Sequence, residues 1–298
     1  MDTELYKRVK DELCPNDHWD LTDAIKRLLK LQINRLPQVT VSAEETRYPT
    51  SPAGMRAFLD TFFARHYFQV QNSMLDYMTS EEFLNLVSGQ ELRILDIGSG
   101  PAVACLAITD MLASTFKHLR RLNQIFKSNM VNMNYVLNDT AGICLGAGRE
   151  SIRSYFKIIR QNSYELLHAT TLAIEKGFPL NISQLKRICQ NTGYYDIVIL
   201  SYVLNPLNEQ LGLRGIADGL SQVESLCKPG GRLLILQDKF REPLIRRVAG
   251  AIGRPCHKEV LSQHVHSMEN ENELFTYTYY SCFFAPKSKV VEYNAEFV

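Results

Sequence analysis

The stretch ILDIGSGPAVACLAI, from Ile94 to Ile108, sets an acid and a tight glycine turn between two apolar segments. The first segment reads as a buried strand and the second as a helix. Glycine tolerates φ > 0 and leaves space where a Cβ would collide, so Gly98-Ser99-Gly100 lets backbone approach a ligand closely. The helix that follows directs its free N–H groups back at the same spot. In an open parallel sheet, ligands sit beyond the carboxyl ends of the strands, where such a turn lies. The stretch therefore points to an α/β sheet with a ligand nest at one end.

The chain agrees from Leu92 onward. Apolar runs ILDI at Ile94, YVLND at Tyr135, DIVIL at Asp196 and RLLIL at Arg232 alternate with helical stretches over 102–112, 151–167, 183–190 and 216–226. That order implies crossover units and a parallel sheet covered by helices. A weaker strand is expected over 170–174. FTYTYYSCFF, from Phe275, is aromatic on both faces and is expected to join the sheet edge-on and antiparallel. Segment 115–133 is longer than an ordinary connection and reads as an extension of the first helix.

Before residue 90 the pattern is helical. Leu21, Ile25, Leu28, Leu29 and Ile33 recur at helical spacing, and Pro37 should end that helix. After the polar stretch VSAEETRYPTSPAG, a broad stripe of Phe58, Phe62, Phe63, Tyr67, Val70 and Met74 runs to about Tyr77. A short helix follows over 80–87, capped by Thr79 or Ser80. The expected organisation is a helical cap or lid over 1–90 and a ligand-binding domain over 91–298.

Bulk properties narrow the class. With 298 residues and 45% apolar content, the chain can bury a substantial core. Lys and Arg total 33 against 32 Asp and Glu, so there is no global pull toward nucleic acid. The seven cysteines form no CxxC pair, which excludes a zinc knuckle and argues against a disulfide scaffold. No stretch approaches the ~20 apolar residues of a membrane span, and no apolar signal region opens the chain. A cytoplasmic protein is expected.

Two common nucleotide motifs do not fit. A GxGxxG fingerprint would need a third glycine where Val103 stands, and no GK[ST] follows. A carboxylate at Asp96 also repels a pyrophosphate. ILDIGSGPA instead resembles motif I of the class I S-adenosylmethionine-dependent methyltransferases, an acid followed by xGxG, with Ala102 in place of that family's third glycine. DIGSGP is similar to the small-molecule amine N-methyltransferases and also to ribosome-associated methyltransferase-like proteins. The resemblance covers about 92–236. It implies a Rossmann-like α/β sheet with an N-terminal helical extension and S-adenosyl-L-methionine as cofactor. Asp139, closing YVLND, matches the acid that binds ribose hydroxyls. DIVILSYVLNPL matches the fourth strand, and CKPGGRLLIL the turn before the fifth. The cofactor residues implied are Asp96, Gly98, Ser99, Gly100, Asp139, Thr140 and Ser201.

Methyl transfer is an in-line displacement, so much of the task is to hold a nucleophile close behind the methyl carbon, with a base where a proton must leave. Tyr202 and His66 are the candidate catalytic residues. Tyr67 and Asn205 are the candidate substrate contacts. Asp238 and Lys239 lie at the right end of a strand. NPL at Asn205 lacks the second proline and the aromatic of an NPPY motif. His257, His264 and His266 have no companion carboxylates, so no metal is expected. A small-molecule N- or O-methyltransferase is the first expectation. The alternatives are an RNA or ribosome-associated methyltransferase using the basic cluster from Lys117 to Lys127, and a noncatalytic interaction protein that keeps the fold.

Overall fold

The computed structural model describes residues 3–89, 91–122, 131–160, 167–264 and 274–286. Six helices come first: α1 (Thr3–Leu13), α2 (Asp23–Ile33), α3 (Ala43–Arg47), α4 (Pro52–Thr61), α5 (Phe63–Met78) and α6 (Glu81–Val87). Then strands and helices alternate: β1 (Glu91–Ile97), α7 (Val103–Arg121), β2 (Val131–Asp139), α8 (Gly142–Arg160), β3 (Leu167–Glu175), α9 (Ile182–Thr192), β4 (Tyr195–Ser201), α10 (Leu204–Glu224) and β5 (Cys227–Asp238). The chain continues through α11 (Glu242–Ile252), β6 (His257–His264) and β7 (Leu274–Phe284).

The strands form one seven-stranded sheet in the order β3-β2-β1-β4-β5-β7-β6. The first five are parallel; β7 runs antiparallel to both β5 and β6. After β3 the chain returns across β1 to lay down β4, so the order reverses between β1 and β4. In sheets of this kind a crevice opens at that switch point.

Alternate residues of each strand face opposite sides, and the two sides carry two separate cores. Ile94, Met133, Tyr135, Ile197 and Leu234 pack with the N-terminal helices and with α7 and α8. Leu95, Val136, Val198, Leu233 and Ile235 pack with α9, α10 and α11. Residues on both sides of position 90 therefore share one core. Leu5, Val9, Ile25, Leu28, Val70 and Met74 are fully enclosed in it, each worth roughly 1.5–3 kcal/mol of burial. A polar knot fixes the same layer. Asp110 on α7 accepts hydroxyl hydrogen bonds from Thr22 (3.0 Å), Tyr67 (2.5 Å) and Tyr155. Burial raises the Asp110 carboxyl above its ordinary range, and the three donors oppose that rise.

Several boundaries differ from the sequence expectation. The long aromatic stripe is broken at Phe62 into α4 and α5. Ser80, not Thr79, caps α6, accepting from the Phe83 N–H. The helix before Pro37 already ends at Ile33. The helix expected over 151–167 begins at Gly142 and ends at Arg160, and the one expected over 216–226 begins at Leu204, with a break at Gly212 (φ +65°). α7 does extend past 112, to Arg121; residues 123–130 lie outside the described residues. β7 is antiparallel as expected but not at the edge, because β6 pairs along its other side. The Trp19 N–H donates to Ser262 O (3.0 Å), covering part of the β6 edge.

Candidate functional site

A cleft of about 1010 Å³ opens at the carboxyl ends of β1, β2, β4 and β5. The glycine turn forms its floor. Gly98 (φ +68°) and Gly100 (φ +52°) are both left-handed. A Cβ on Gly98 would lie 1.8 Å from Val203 Cγ1, whereas one on Gly100 would meet nothing within 4 Å. The first glycine thus serves packing, and the second keeps open space toward the cleft. The Gly98 and Ser99 N–H groups donate to Asn138 O (2.7 and 2.9 Å). Asn138 in turn donates to the Ile174 and Lys176 carbonyls, tying the ends of β1, β2 and β3 together. Ala102 (φ +62°) takes the left-handed conformation that glycine accepts more cheaply, and no side chain caps α7. The N-terminal N–H groups of α7 remain for a ligand.

Two acids flank the turn. Asp139 accepts the Gly100 N–H on Oδ2 and the Ala141 N–H on Oδ1, both at 2.9 Å. Each oxygen keeps a lone pair for a hydroxyl donor. Asp96 is fully buried; the Cys105 thiol donates to Oδ2 (3.4 Å) and Oδ1 has no partner. Burial pushes the Asp96 carboxyl up to about 7, with the Cys105 hydrogen bond opposing and the Asp139 charge adding to the rise. An enclosed, half-satisfied carboxyl is stabilised by a nearby cation.

The far wall is aromatic. The His66 and Tyr202 rings stack at 3.8 Å between centroids and 12° between planes, and Phe62 stacks on His66 at 5.7 Å. Tyr202 holds φ +63° immediately after β4, anchored by its N–H to Leu236 O (3.0 Å). A bulky residue in that region costs about 1–2 kcal/mol. Burial, and then the Arg65 charge, push His66 down to about 3, so it stands in the wall as neutral imidazole.

Of the residues expected from sequence, Asp96, Gly98, Ser99, Gly100, Asp139, Thr140, Ser201, Tyr202, His66 and Asn205 all line this cleft. Asn205 donates to Glu209 (3.1 Å) on its rim. Tyr67 does not line it. Its ring is fully buried and its hydroxyl bonds Asp110 and Gln71. Successive helical residues point about 100° apart, so His66 and Tyr67 cannot share a wall. Burial leaves His66 neutral but a weak base, because a group with a pKa of about 3 has little driving force to take up a proton near neutrality. The basic cluster is partly spent inside the fold: Lys117 and His118 both bond Glu12 on α1 (2.7 and 2.6 Å). Arg120 and Arg121 are exposed, and Lys127 lies outside the described residues.

Sequence reading missed a strap. Residues 43–50 cross the cleft and contribute Arg47, Tyr48 and Pro49 to its lining. Glu45 bolts this strap to α4 by accepting from the N–H and hydroxyl groups of both Thr50 and Ser51 at 2.7–2.9 Å. Those bonds hold its carboxyl down at about 2. Gly54 gives Glu45 room, since a Cβ there would sit 2.1 Å from Oε1. The available signal was the S-x-x-E spacing from Ser42 to Glu45, although Glu45 turns forward to Thr50 and Ser51 instead of capping back. Among the described residues no group of three His, Cys, Asp or Glu could hold a metal ion, and no helix is long and apolar enough to cross a membrane.

No family model and no curated protein matches the chain. Among solved structures it is similar to an O-methyltransferase family protein from Burkholderia thailandensis, at 16% identity over 95% of this chain and 83% of that one, with a TM-score of 0.41. It is also similar to precorrin-6y C5,15-methyltransferase from Geobacter metallireducens (13%, 70% and 88%, 0.39) and to human methyltransferase 10 domain containing protein (11%, 94% and 97%, 0.37). By its sheet order and its glycine turn at the switch point, the chain has a Rossmann-like α/β fold.

Proposed function

We propose that the chain binds S-adenosyl-L-methionine at the β1–β2 side of the cleft and catalyses transfer of its methyl group to a nitrogen or oxygen atom of a small molecule. The observation that carries this reading is the polar set around the glycine turn. Asp96 Oδ1 is buried without a partner, which suits an ammonium group. The uncapped start of α7 suits a carboxylate. The free lone pairs of Asp139 suit a pair of ribose hydroxyls. Gly100 leaves the space such a ligand would fill.

When bound, the cofactor supplies an activated methyl on a positively charged sulfur. The chain's own residues bind and orient. Thr140 and Ser201 complete the cofactor side, and Tyr202, Asn205 and the His66 ring shape the acceptor side. A ligand covering the half-buried aromatic wall would displace water from it, which strengthens electrostatic interactions inside. A small-molecule acceptor is favoured over RNA because Lys117 and His118 are already engaged by Glu12.

The test is calorimetric titration with S-adenosylmethionine and S-adenosylhomocysteine. One ligand per chain is expected, with weaker binding by Asp96→Ala at retained fold. A folded protein that takes neither ligand would make this a noncatalytic protein that keeps the fold.

A further inference from the structure

We infer that Cys256 and Cys282 are a redox-active pair: Cys256 is the sulfur that a peroxide attacks, and Cys282 resolves the product to a disulfide that stitches edge strand β6 to β7. The inference stands apart from the methyl-transfer reading, since neither residue is among those described as lining the cleft.

Strand register carries it. β6 and β7 are antiparallel, with His257 opposite Ser281 and Lys258 opposite Tyr280. One step further along, Cys256 stands opposite Cys282. The same register continues to Arg254, whose guanidinium lies 4.6 Å from the centre of the Phe284 ring. Residues directly opposite in an antiparallel pair have Cα atoms about 4.5–5.5 Å apart, inside the span of about 4.4–6.8 Å that a disulfide bridges. Both side chains also lie on one face of the sheet. Cys282 is buried in the core shared with α10 and α11, and Cys256 packs against that core. The two thiols are hydrogen-bonded to each other.

The sulfurs differ in access. Cys282 is 1% exposed, whereas Cys256 is only partly covered. Burial raises the Cys256 thiol, the Cys282 hydrogen bond and the Arg246 charge oppose that rise, and the Glu242 charge adds to it. Burial pushes the Cys282 thiol well up, and the Cys256 charge and hydrogen bond push it the same way. Cys256 is therefore the sulfur that ionises first and meets solvent, the two conditions for oxidation. Other buried thiols are engaged elsewhere: Cys105 donates to Asp96 (3.4 Å), Cys144 to Pro49 O (3.7 Å) and Cys227 to Arg232 O (3.5 Å).

The chemistry balances with hydrogen peroxide as oxidant. The Cys256 thiolate attacks one oxygen, the O–O bond breaks, and hydroxide leaves a sulfenic acid on Cys256. Cys282, giving up its proton, attacks that sulfur; the S–S bond forms, the S–O bond breaks and a second hydroxide leaves. The two thiol protons convert both hydroxides to water, so two thiols lose two electrons and one peroxide gains them. The bond closes residues 257–281 into a loop.

The experiment treats the reduced, folded full chain with hydrogen peroxide, blocks the remaining thiols with N-ethylmaleimide and maps peptides by mass spectrometry without reduction. A cross-link between Cys256 and Cys282 should dominate, open again with dithiothreitol, and raise the melting temperature by about 5–10 °C. Cys282→Ser removes the resolving thiol and should leave Cys256 as a sulfenic acid that dimedone labels. Cys256→Ser changes the less buried partner and should protect Cys282 from oxidation. Two free thiols after peroxide, a disulfide joining other cysteines, parent Cys256 halted at sulfinic acid, or Cys282 oxidised at an unchanged rate in Cys256→Ser would each overturn the inference. A cross-linked protein with no rise in melting temperature would refute the stitch.

Discussion

Gly98 and Gly100 stand two residues apart in the same turn, yet their alanine variants should fail in opposite ways. At Gly98 an added methyl meets two obstacles. The backbone, at φ +68°, costs a non-glycine residue about 1–2 kcal/mol. The Cβ would also lie 1.8 Å from Val203 Cγ1, and relieving such an overlap in a packed site costs about 1–3 kcal/mol more. Gly98→Ala should therefore lose about 2–5 kcal/mol, a large share of a typical domain's ~5–15 kcal/mol. At Gly100, φ +52° imposes the same backbone cost, but no protein atom lies within 4 Å of the added Cβ. Gly100→Ala should lose only about 1–2 kcal/mol of stability. Its methyl instead occupies the ligand's space, and a comparable overlap of about 1–3 kcal/mol weakens S-adenosylhomocysteine binding by about 5- to 150-fold. Urea denaturation reads the first effect and calorimetric titration the second. A double-mutant cycle of Gly98→Ala with Val203→Ala isolates the clash: the coupling should recover about 1–3 kcal/mol and leave the backbone part behind. A coupling near zero, or unchanged ligand affinity in Gly100→Ala, would refute this division of labour.

Three further outcomes are expected. Asp96 keeps its proton to about pH 7 in the fold, whereas an unfolded Asp loses it near 3.9; between those values the native state binds more protons, so this group's contribution to stability falls as pH rises, by up to about 4 kcal/mol. Asp96→Asn should remove that loss and be more stable than the parent at pH 8 in urea melts, while binding S-adenosylmethionine more weakly. His66 has the opposite sign. Its pKa, about 3 in the fold, lies below the unfolded value near 6.5, so its contribution falls as pH drops below 6.5; His66→Phe should flatten that slope and leave no missing inflection in the pH–rate profile, and loss of a base-type limb would restore His66 as a proton acceptor. Tyr67→Phe should cost about 1–3 kcal/mol by leaving buried Asp110 and Gln71 short of a partner, with the Michaelis constants unchanged; a raised acceptor Michaelis constant would return Tyr67 to the substrate site.

What the sequence made legible follows from how each element is buried. β1, β4 and β5 are covered on both faces, so they stand out as continuous apolar runs. β6, HKEVLSQH, is an edge strand with Val260 63% exposed, and it lacks that signal; edge strands carry charge for reasons of their own. The aromatic residues on both faces of β7 held the missing clue. Tyr279 packs with the α5–α7 core and Tyr280 with the α10–α11 core, so both faces of that strand are covered. The first half of α8, GICLGAGRE, looks like loop because of its glycines. Gly148 is nonetheless a packing requirement, since a Cβ there would lie 3.1 Å from Ala102 Cβ at the start of α7.

The site divides the same way: the residues around the glycine turn were all readable, whereas on the opposite wall His66, Tyr202 and Asn205 were readable and Gln237 and the strap were not. The proposed cofactor contacts come from one turn and the end of the adjacent strand, where backbone conformation demands particular residues: glycine at φ +68° and +52°, and Asp139 to hold the Gly100 N–H. The opposite wall comes from side chains converging from α5, β4, β5 and the strap, whose proximity depends on the whole sheet order. Arg65, His66 and Tyr67 look like one cluster in sequence, but the helix sends them to three places. Arg65 lies over the Tyr277 ring at 4.8 Å, His66 lies against Tyr202, and Tyr67 bonds Asp110. Gln237 and Asp238, 171 and 172 residues along the chain from His66, complete that wall instead, because β5 lies beside β4. Local conformational demand is written into neighbouring residues; a chamber assembled by register is visible only once the strands are in order.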